Sequence, residues 1–188
     1  LEEEERKLGR SNGECSLHVT TALHSAALRA MRSHPDHLYH NLLDMRCLRK
    51  EMSESWGALA ATRSLLREIG ADSPEQEGRL VFFDLCSGKG MTAVALALTF
   101  PSATVLALDI ISSKCLPHTI DLPNLRYVEA NLFRAEGLLR KELGPGERLG
   151  VLIGSHLCGR LSSQAIALFQ VRRSMHQDCL LNPRNYFF

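Results

Sequence analysis

A strand pattern that runs directly into a glycine-containing loop and a helix-forming run is the feature that most constrains this chain. Residues 81–85 (VFFDL) are apolar apart from one acid, which is typical of a short parallel strand buried on both faces. Residues 86–90 (CSGKG) form the loop, and residues 91–98 favour a helix. Glycines permit positive φ angles and close backbone approach, and the first turn of a helix offers free N–H groups. The sequence therefore predicts a ligand site at this loop.

A second apolar strand is predicted at residues 104–108, and it ends on Asp109. Asp109 follows the loop by about 20 residues, the separation at which nucleotide-binding βαβ units place an acid that accepts hydrogen bonds from a ribose diol. The spacing predicts a ligand that contains a nucleoside and leaves its identity open.

Two kinds of nucleoside-binding enzyme use this arrangement, and Asp84 distinguishes between them. As Gly88-x-Gly90-x-x-Ala93, the loop matches the dinucleotide fingerprint, so an NAD- or flavin-dependent enzyme is one alternative. Asp84 disfavours it, because a carboxylate at the strand end is poorly placed beside a pyrophosphate and well placed to receive an ammonium group. The pattern D-x-C-S-G-x-G, followed by an acid after the next strand, resembles motif I of the class I S-adenosylmethionine-dependent methyltransferases.

The resemblance implies a cofactor site at the carboxyl ends of the strands, made by Asp84, Cys86, Ser87, Gly88, Gly90, Asp109, Asn131 and Ser155. Asp84 would contact the ammonium group of S-adenosylmethionine, Asp109 its ribose hydroxyls and Asn131 its adenine amino group. The residues from Cys86 to Gly90 would form a backbone cradle. For Asn131 the alternative is a turn residue at the end of the third strand.

A later loop, residues 155–159 (SHLCG), lies where these enzymes place residues that face the methyl group. Paired with the first motif, its H-x-C-G pattern resembles the methyltransferase-like 25 proteins and a methyltransferase-like domain attached to a glutathione-transferase-like domain, and more distantly the tRNA 2′-O-methyltransferases. His156 is the candidate catalytic base, because its pKa lies near working pH; the alternative is a histidine that orders the loop. Cys158 is disfavoured as a nucleophile, because nothing adjacent lowers its pKa.

Alternating strands and helices predict an α/β fold, a Rossmann-like, doubly wound and mainly parallel sheet in the order 3-2-1-4-5. The third and fourth strands are predicted at 125–130 and 149–154, and the helices after them at 132–143 and 163–170, the latter capped by Ser162. The domain would span 79–188 and be C-terminally incomplete, truncated after strand 4 or 5. The alternative is that a partner or a second copy covers its open edge.

Residues 1–72 are predicted to form an N-terminal helical cap. Ser53 or Ser55 is expected to begin a helix that runs to residue 69 and stops at Gly70. The spacing of His34, His37 and His40 permits zinc binding or a polar surface. The surface is favoured, because three-residue steps drift off one helix face by about 60°.

Composition argues against one class of protein, those that span a membrane, and leaves the other classes open. The net charge is +1, and the apolar stretches are too short to span a bilayer. The six cysteines contain no C-x-x-C pair, so free thiols in a cytoplasmic or nuclear protein are the simpler interpretation. The sequence predicts an S-adenosylmethionine-dependent methyltransferase with an unidentified acceptor, RNA being slightly favoured. A non-catalytic scaffold is the alternative, and an NAD-dependent oxidoreductase is a weaker one.

Overall fold

Four parallel strands form the centre of the structure, a computed structural model that describes residues 48–112, 122–145, 148–155 and 157–173. The strands are β1 (Leu80–Leu85), β2 (Thr104–Asp109), β3 (Leu125–Glu129) and β4 (Leu149–Ile153). They pair in the order β3-β2-β1-β4, and every pairing is parallel. The predicted α/β, Rossmann-like parallel sheet and the order of its first four strands are confirmed. The predicted fifth strand lies outside the described residues.

Five α-helices and one 3-10 helix surround this sheet in the described part of the chain. They are α1 (Leu48–Glu68), α2 (Pro74–Glu77), α3 (Met91–Thr99), the 3-10 helix (Leu132–Arg134), α4 (Glu136–Leu143) and α5 (Arg160–Arg173). None of these helices has both the length and the apolar character that crossing a membrane requires.

Helix α1 ends as predicted and begins differently. Gly70 has a φ of 70°, and the N–H of Ala71 donates to the carbonyl of Leu66 at 2.7 Å, the pattern of a glycine C-cap. The predicted start at Ser53 or Ser55 is wrong, because α1 continues unbroken through both residues. Residues 1–47, with the histidine cluster, lie outside the described residues, so α1 is the part of the predicted cap that the structure describes.

Two other predicted boundaries are corrected. Helix α5 begins at Arg160, so Ser162 lies within its first turn, where its hydroxyl donates to the carbonyl of Leu157 at 2.7 Å. The helix predicted at 132–143 divides at Ala135 into the 3-10 helix and α4, and Asn131 caps the first of these by accepting the N–H of Phe133.

The core has two layers, one on each face of the sheet. All six residues of β1 are buried, and their side chains alternate between the two layers. Leu80 and Phe82 pack in the layer formed with α1 and α3, whereas Phe83 and Leu85 pack against α4 and α5. By the same alternation, the side chain of Asp84 faces the layer of α1 and α3.

Candidate functional site

Three positive φ angles shape the loop between β1 and α3. Cys86 and Gly88 each have a φ of 55°, and Gly90 has a φ of 74°. The loop closes through the N–H of Gly90 on the carbonyl of Ser87 at 2.9 Å, and the N–H of Ser87 reaches the carbonyl of Leu108 at 3.0 Å. The glycines adopt the left-handed conformation that the sequence predicts for them. Cys86 adopts it too, and nothing in the sequence indicated this.

Asp84 is the carboxylate at the end of the central strand, and it is only 2% exposed. The hydroxyl of Ser87 donates to its Oδ2 at 2.6 Å. A carboxylate that is removed from water is stable only when hydrogen bonds or opposite charge compensate it. The local turn thus places the Ser87 hydroxyl where it stabilises the charge of Asp84.

Asp109 holds the loop to the end of β2. Its Oδ2 accepts the N–H of Gly88 at 2.7 Å, and its Oδ1 accepts the N–H of Ile111 at 3.1 Å. The hydroxyl of Tyr127, on β3, donates to the carbonyl of Gly88 at 3.3 Å. A carboxylate has about four lone-pair positions, so Asp109 retains capacity for ribose hydroxyls while it fixes the loop.

A cleft lies between α1 and this loop. Its walls combine carboxylates, hydroxyls and sulfur-containing side chains, from Glu51, Glu54, Ser55, Asp84, Cys86, Ser87, Met91, Thr92 and Ser155. The predicted residues Asp84, Cys86, Ser87 and Ser155 therefore meet at one cleft. The five contributions from α1 and α3 that sequence reasoning missed are Glu51, Glu54, Ser55, Met91 and Thr92.

Two polar contacts attach α1 to the loop and to α3. Ser55, 2% exposed, shares a hydrogen bond of 3.1 Å with the hydroxyl of Thr92. Lys89 Nζ lies 3.2 Å from Glu51 Oε1, and both side chains are partly exposed. No short-range sequence pattern indicated these contacts, since each joins residues that are far apart along the chain.

Ser155, directly after β4, has a buried hydroxyl. Its Oγ has no hydrogen-bond partner among the described residues. Because a buried polar atom without a partner costs free energy, this hydroxyl is, within the described residues, a hydrogen-bonding group with capacity left for a ligand in the cleft.

The thiol of Cys86 lies beside acidic neighbours. Burial raises its pKa above the ordinary value, and Asp109, Asp84 and Cys158 raise it further. The sulfur is therefore held as a neutral thiol at neutral pH, which suits a wall of the cleft better than a nucleophile.

Asn131 does not line this cleft, and Gly88, Gly90 and Asp109 shape the loop beside it without lining it. Asn131 is exposed at the end of β3, and its side-chain oxygen accepts the N–H of Phe133 at 3.0 Å. This contact is the turn role that was its alternative, and its predicted adenine contact stays a prediction. His156 lies outside the described residues, so its role as the catalytic base also stays a prediction.

Comparison of the chain with protein-family models, curated proteins and solved structures finds no significant match in any of the three.

Proposed function

We propose that this chain is a class I S-adenosylmethionine-dependent methyltransferase domain. The observation that carries the proposal is the buried carboxylate of Asp84 at the end of the central strand, beside a loop whose left-handed glycines are held by Asp109. The strand order supports it, since ligands of open parallel sheets bind at the carboxyl ends of strands where the order reverses, here between β1 and β4.

The residues present fit this cofactor better than a dinucleotide. Asp84 lines the cleft with Glu51 and Glu54, and its buried carboxylate favours an ammonium or a sulfonium group and repels a pyrophosphate. The two glutamates are paired with Lys89 and Lys50 and add less to this preference. Apart from its chain neighbours, no atom of the described residues lies within 4 Å of the position that a Cβ on Gly88 would occupy, which leaves room for a ligand beside the loop. The buried Ser155 hydroxyl supplies a further polar contact.

S-adenosylmethionine supplies a methyl group on a positively charged sulfur, and its transfer breaks the carbon–sulfur bond as an acceptor lone pair forms the new bond. In this proposal Asp84 orients the ammonium end and Asp109 holds the ribose. Such positioning is the main contribution a protein makes to an in-line displacement. His156 is proposed to take the proton of the acceptor.

The finer parts of the proposal concern the surroundings of this site. The class I sheet would continue beyond β4, and a partner or a second copy would cover any edge left open. RNA is the slightly favoured acceptor, and a cytoplasmic or nuclear location is proposed with it.

A scaffold that binds a partner without catalysis is the competing function, and an NAD-dependent oxidoreductase is disfavoured by the acidic cleft.

Ligand-dependent thermal unfolding tests the proposal. S-adenosylhomocysteine or S-adenosylmethionine at a hundredfold excess over its Kd should stabilise the protein by about 2.7 kcal/mol, whereas NAD should not. Asp84→Asn should remove the shift, because the amide cannot neutralise an ammonium group. Asp72→Asn, an exposed aspartate paired with Arg67, is the matched control. A cooperative transition that neither nucleoside moves would favour the scaffold, and a shift with NAD alone would favour the oxidoreductase.

A further inference from the structure

We propose that Cys86 and Cys158 form a reversible disulfide across the crevice between β1 and β4, and that this bond closes the ligand end of the sheet. Both cysteines are free thiols in the structure. The bond itself is independent of the proposed function, whereas the closure rests on that function, because it concerns the same ligand. Together they describe a redox switch in the loops that hold the ligand.

The topology of the sheet brings the two cysteines to one edge. Cys86 comes directly after β1, and Cys158 follows the last residue of β4, Ile153, by five positions. The two strands pair in parallel, with Asp84 opposite Ile153. Because the carboxyl ends of paired parallel strands lie at the same edge, the two loops start from neighbouring points.

Packing turns both loops toward the same core layer. The side chain of Cys86 packs against the layer formed with α4 and α5, and so do Leu157 and Leu161, on either side of Cys158 in the sequence. A Cβ on Gly154 would overlap the side chain of Leu157, so the loop folds back over the end of β4. The N–H of Leu161 donates to the carbonyl of Cys158 at 3.1 Å, which holds Cys158 at the start of α5.

The two thiols are close enough to affect each other, and they differ in exposure. Burial raises the pKa of Cys86, and Asp109, Asp84 and Cys158 raise it further. Such an electrostatic effect of one thiol on another falls off with distance. Cys158 is exposed, whereas Cys86 is half-buried. An oxidant therefore meets Cys158 first, and Cys86 is the thiol that reacts second.

The chemistry is exchange with a small-molecule disulfide, for which glutathione disulfide is the probe. The Cys158 thiolate attacks one of its sulfurs, the S–S bond breaks, and one glutathione leaves as a thiolate that takes up a proton. The Cys86 thiolate then attacks the sulfur of Cys158 and displaces the second glutathione in the same way. Two protein thiols are oxidised to one disulfide, and one glutathione disulfide is reduced to two thiols. Exchange of this kind needs an accessible thiol and not the activated cysteine of covalent catalysis.

The position of this bond explains how it would control a ligand. Ligands of open parallel sheets bind in the crevice where the strand order reverses, which is between β1 and β4 here. Cys86 and Ser155 line the cleft from the two loops concerned. A covalent bridge between those loops spans the crevice. One of its sulfurs is exposed before oxidation, and accessible disulfides are the labile, regulatory kind, so thiols should reverse it.

Peptide mapping tests the bond. The protein is treated with excess glutathione disulfide or with dithiothreitol, remaining thiols are blocked with N-ethylmaleimide, and trypsin releases residues 80–89 and 149–160, each with a single cysteine. Mass spectrometry should find these two peptides linked after oxidation and separate after dithiothreitol. Linkage of residues 80–89 to any other cysteine peptide, or their recovery as the N-ethylmaleimide adduct after oxidation, would overturn the proposal.

Three variants sharpen the map. Cys86→Ser and Cys158→Ser should each abolish the linked peptide, and Cys115→Ser, which removes a cysteine of the segment after β2, should retain it. A link that survives Cys158→Ser would also overturn the proposal. Circular dichroism melting under reducing conditions confirms that each variant is folded before oxidation.

Titration calorimetry with S-adenosylhomocysteine tests the closure. Oxidised wild type should bind about tenfold more weakly than reduced wild type, and dithiothreitol should restore the affinity. Cys158→Ser should bind equally before and after treatment with glutathione disulfide. Equal affinity of oxidised and reduced wild type would overturn the switch and leave the proposed function standing. If reduced wild type does not bind S-adenosylhomocysteine, the proposed function fails together with the closure, and the peptide map still decides whether the disulfide forms.

Discussion

Asp84 and Asp109 both end strands at the same edge of the sheet, and they use their carboxylates in different ways. Asp84 accepts a side-chain hydroxyl within a buried layer, whereas Asp109 accepts two backbone N–H groups. Substitution of Asp109 therefore alters the loop itself as well as any ribose contact. Substitution of Asp84 leaves those backbone bonds in place, which makes it the better residue for testing ligand binding.

Gly88→Ala should destabilise the protein by about 1–2 kcal/mol, because an L side chain is disfavoured at a φ of 55°. Gly57→Ala, within α1, should instead stabilise it by about 0.5–1 kcal/mol, because glycine weakens a helix interior. An added Cβ meets no non-neighbouring atom within 4 Å at either site in the part of the chain that the structure describes, so the two variants are compared on backbone conformation. Urea unfolding measures both, and an equal effect would contradict the left-handed assignment.

The raised pKa of Cys86 predicts a pH-dependent stability. Its folded pKa lies above the ordinary value of 9.0, so the unfolded thiol loses its proton first as pH rises. The stability that the protonated Cys86 thiol contributes is therefore present below pH 9 and is lost progressively as the pH rises above 9. Denaturant titrations from pH 7 to 10 should show wild type losing stability relative to Cys86→Ser above pH 9. Parallel curves would contradict burial of the thiol.

Sequence pattern predicted the residues at the loop and could not predict those across the cleft. Asp84, Gly88, Gly90 and Asp109 lie within one strand–loop–helix–strand unit, where spacing along the chain fixes spacing in the fold. Glu54 depends instead on how α1 packs, which is a tertiary contact. A glutamate on an amphipathic helix has the same sequence appearance whether it faces solvent or a cleft.

At the scale of elements, the packing of α1 on α3 explains why the predicted helix start was wrong. Serine caps helices because its hydroxyl competes for backbone N–H groups, and the same hydroxyl can be buried mid-helix when it finds a side-chain partner. Ser55 has that partner in Thr92. Strand positions were predicted within a residue or two, and for β1, β2 and β4 the reason is that their apolar runs depend on general burial and not on one partner.

Ser55→Ala should lower the free energy of unfolding by about 1 kcal/mol, because the hydroxyl of Thr92 loses this partner. Thr92 is only 8% exposed. Thr92→Val should cost a similar amount for the converse reason. The double variant should cost less than the sum, since removing both hydroxyls leaves no unpaired group. A double-mutant cycle in urea measures this coupling, and strict additivity would show that the hydrogen bond contributes nothing to the seating of α1.

At the scale of the whole molecule, the two buried layers contribute more to stability than the surface ion pairs. Leu66 of α1 is fully buried in the layer that α1 and α3 form with the sheet. Leu66→Ala should therefore lower the free energy of unfolding by about 2–5 kcal/mol. Glu136→Gln, which removes an exposed pair with Arg140, should change stability by less than about 0.5 kcal/mol. Chemical unfolding of both variants checks the ranking, and a larger loss for Glu136→Gln would contradict it.

The position of β1 between β2 and β4 has a consequence for how the chain reaches its native state. Leu80 of β1 pairs with Leu149 of β4. One edge of β1, the most apolar strand, therefore stays unpaired until the ribosome has synthesised β4, which comes much later in the chain. Parallel pairing between strands so far apart in sequence slows folding, because the entropy of closing the intervening chain is lost before the strand contacts compensate for it. During synthesis this strand therefore exposes an unpaired, aggregation-prone edge, and we expect chaperone binding to nascent chains to concentrate on β1.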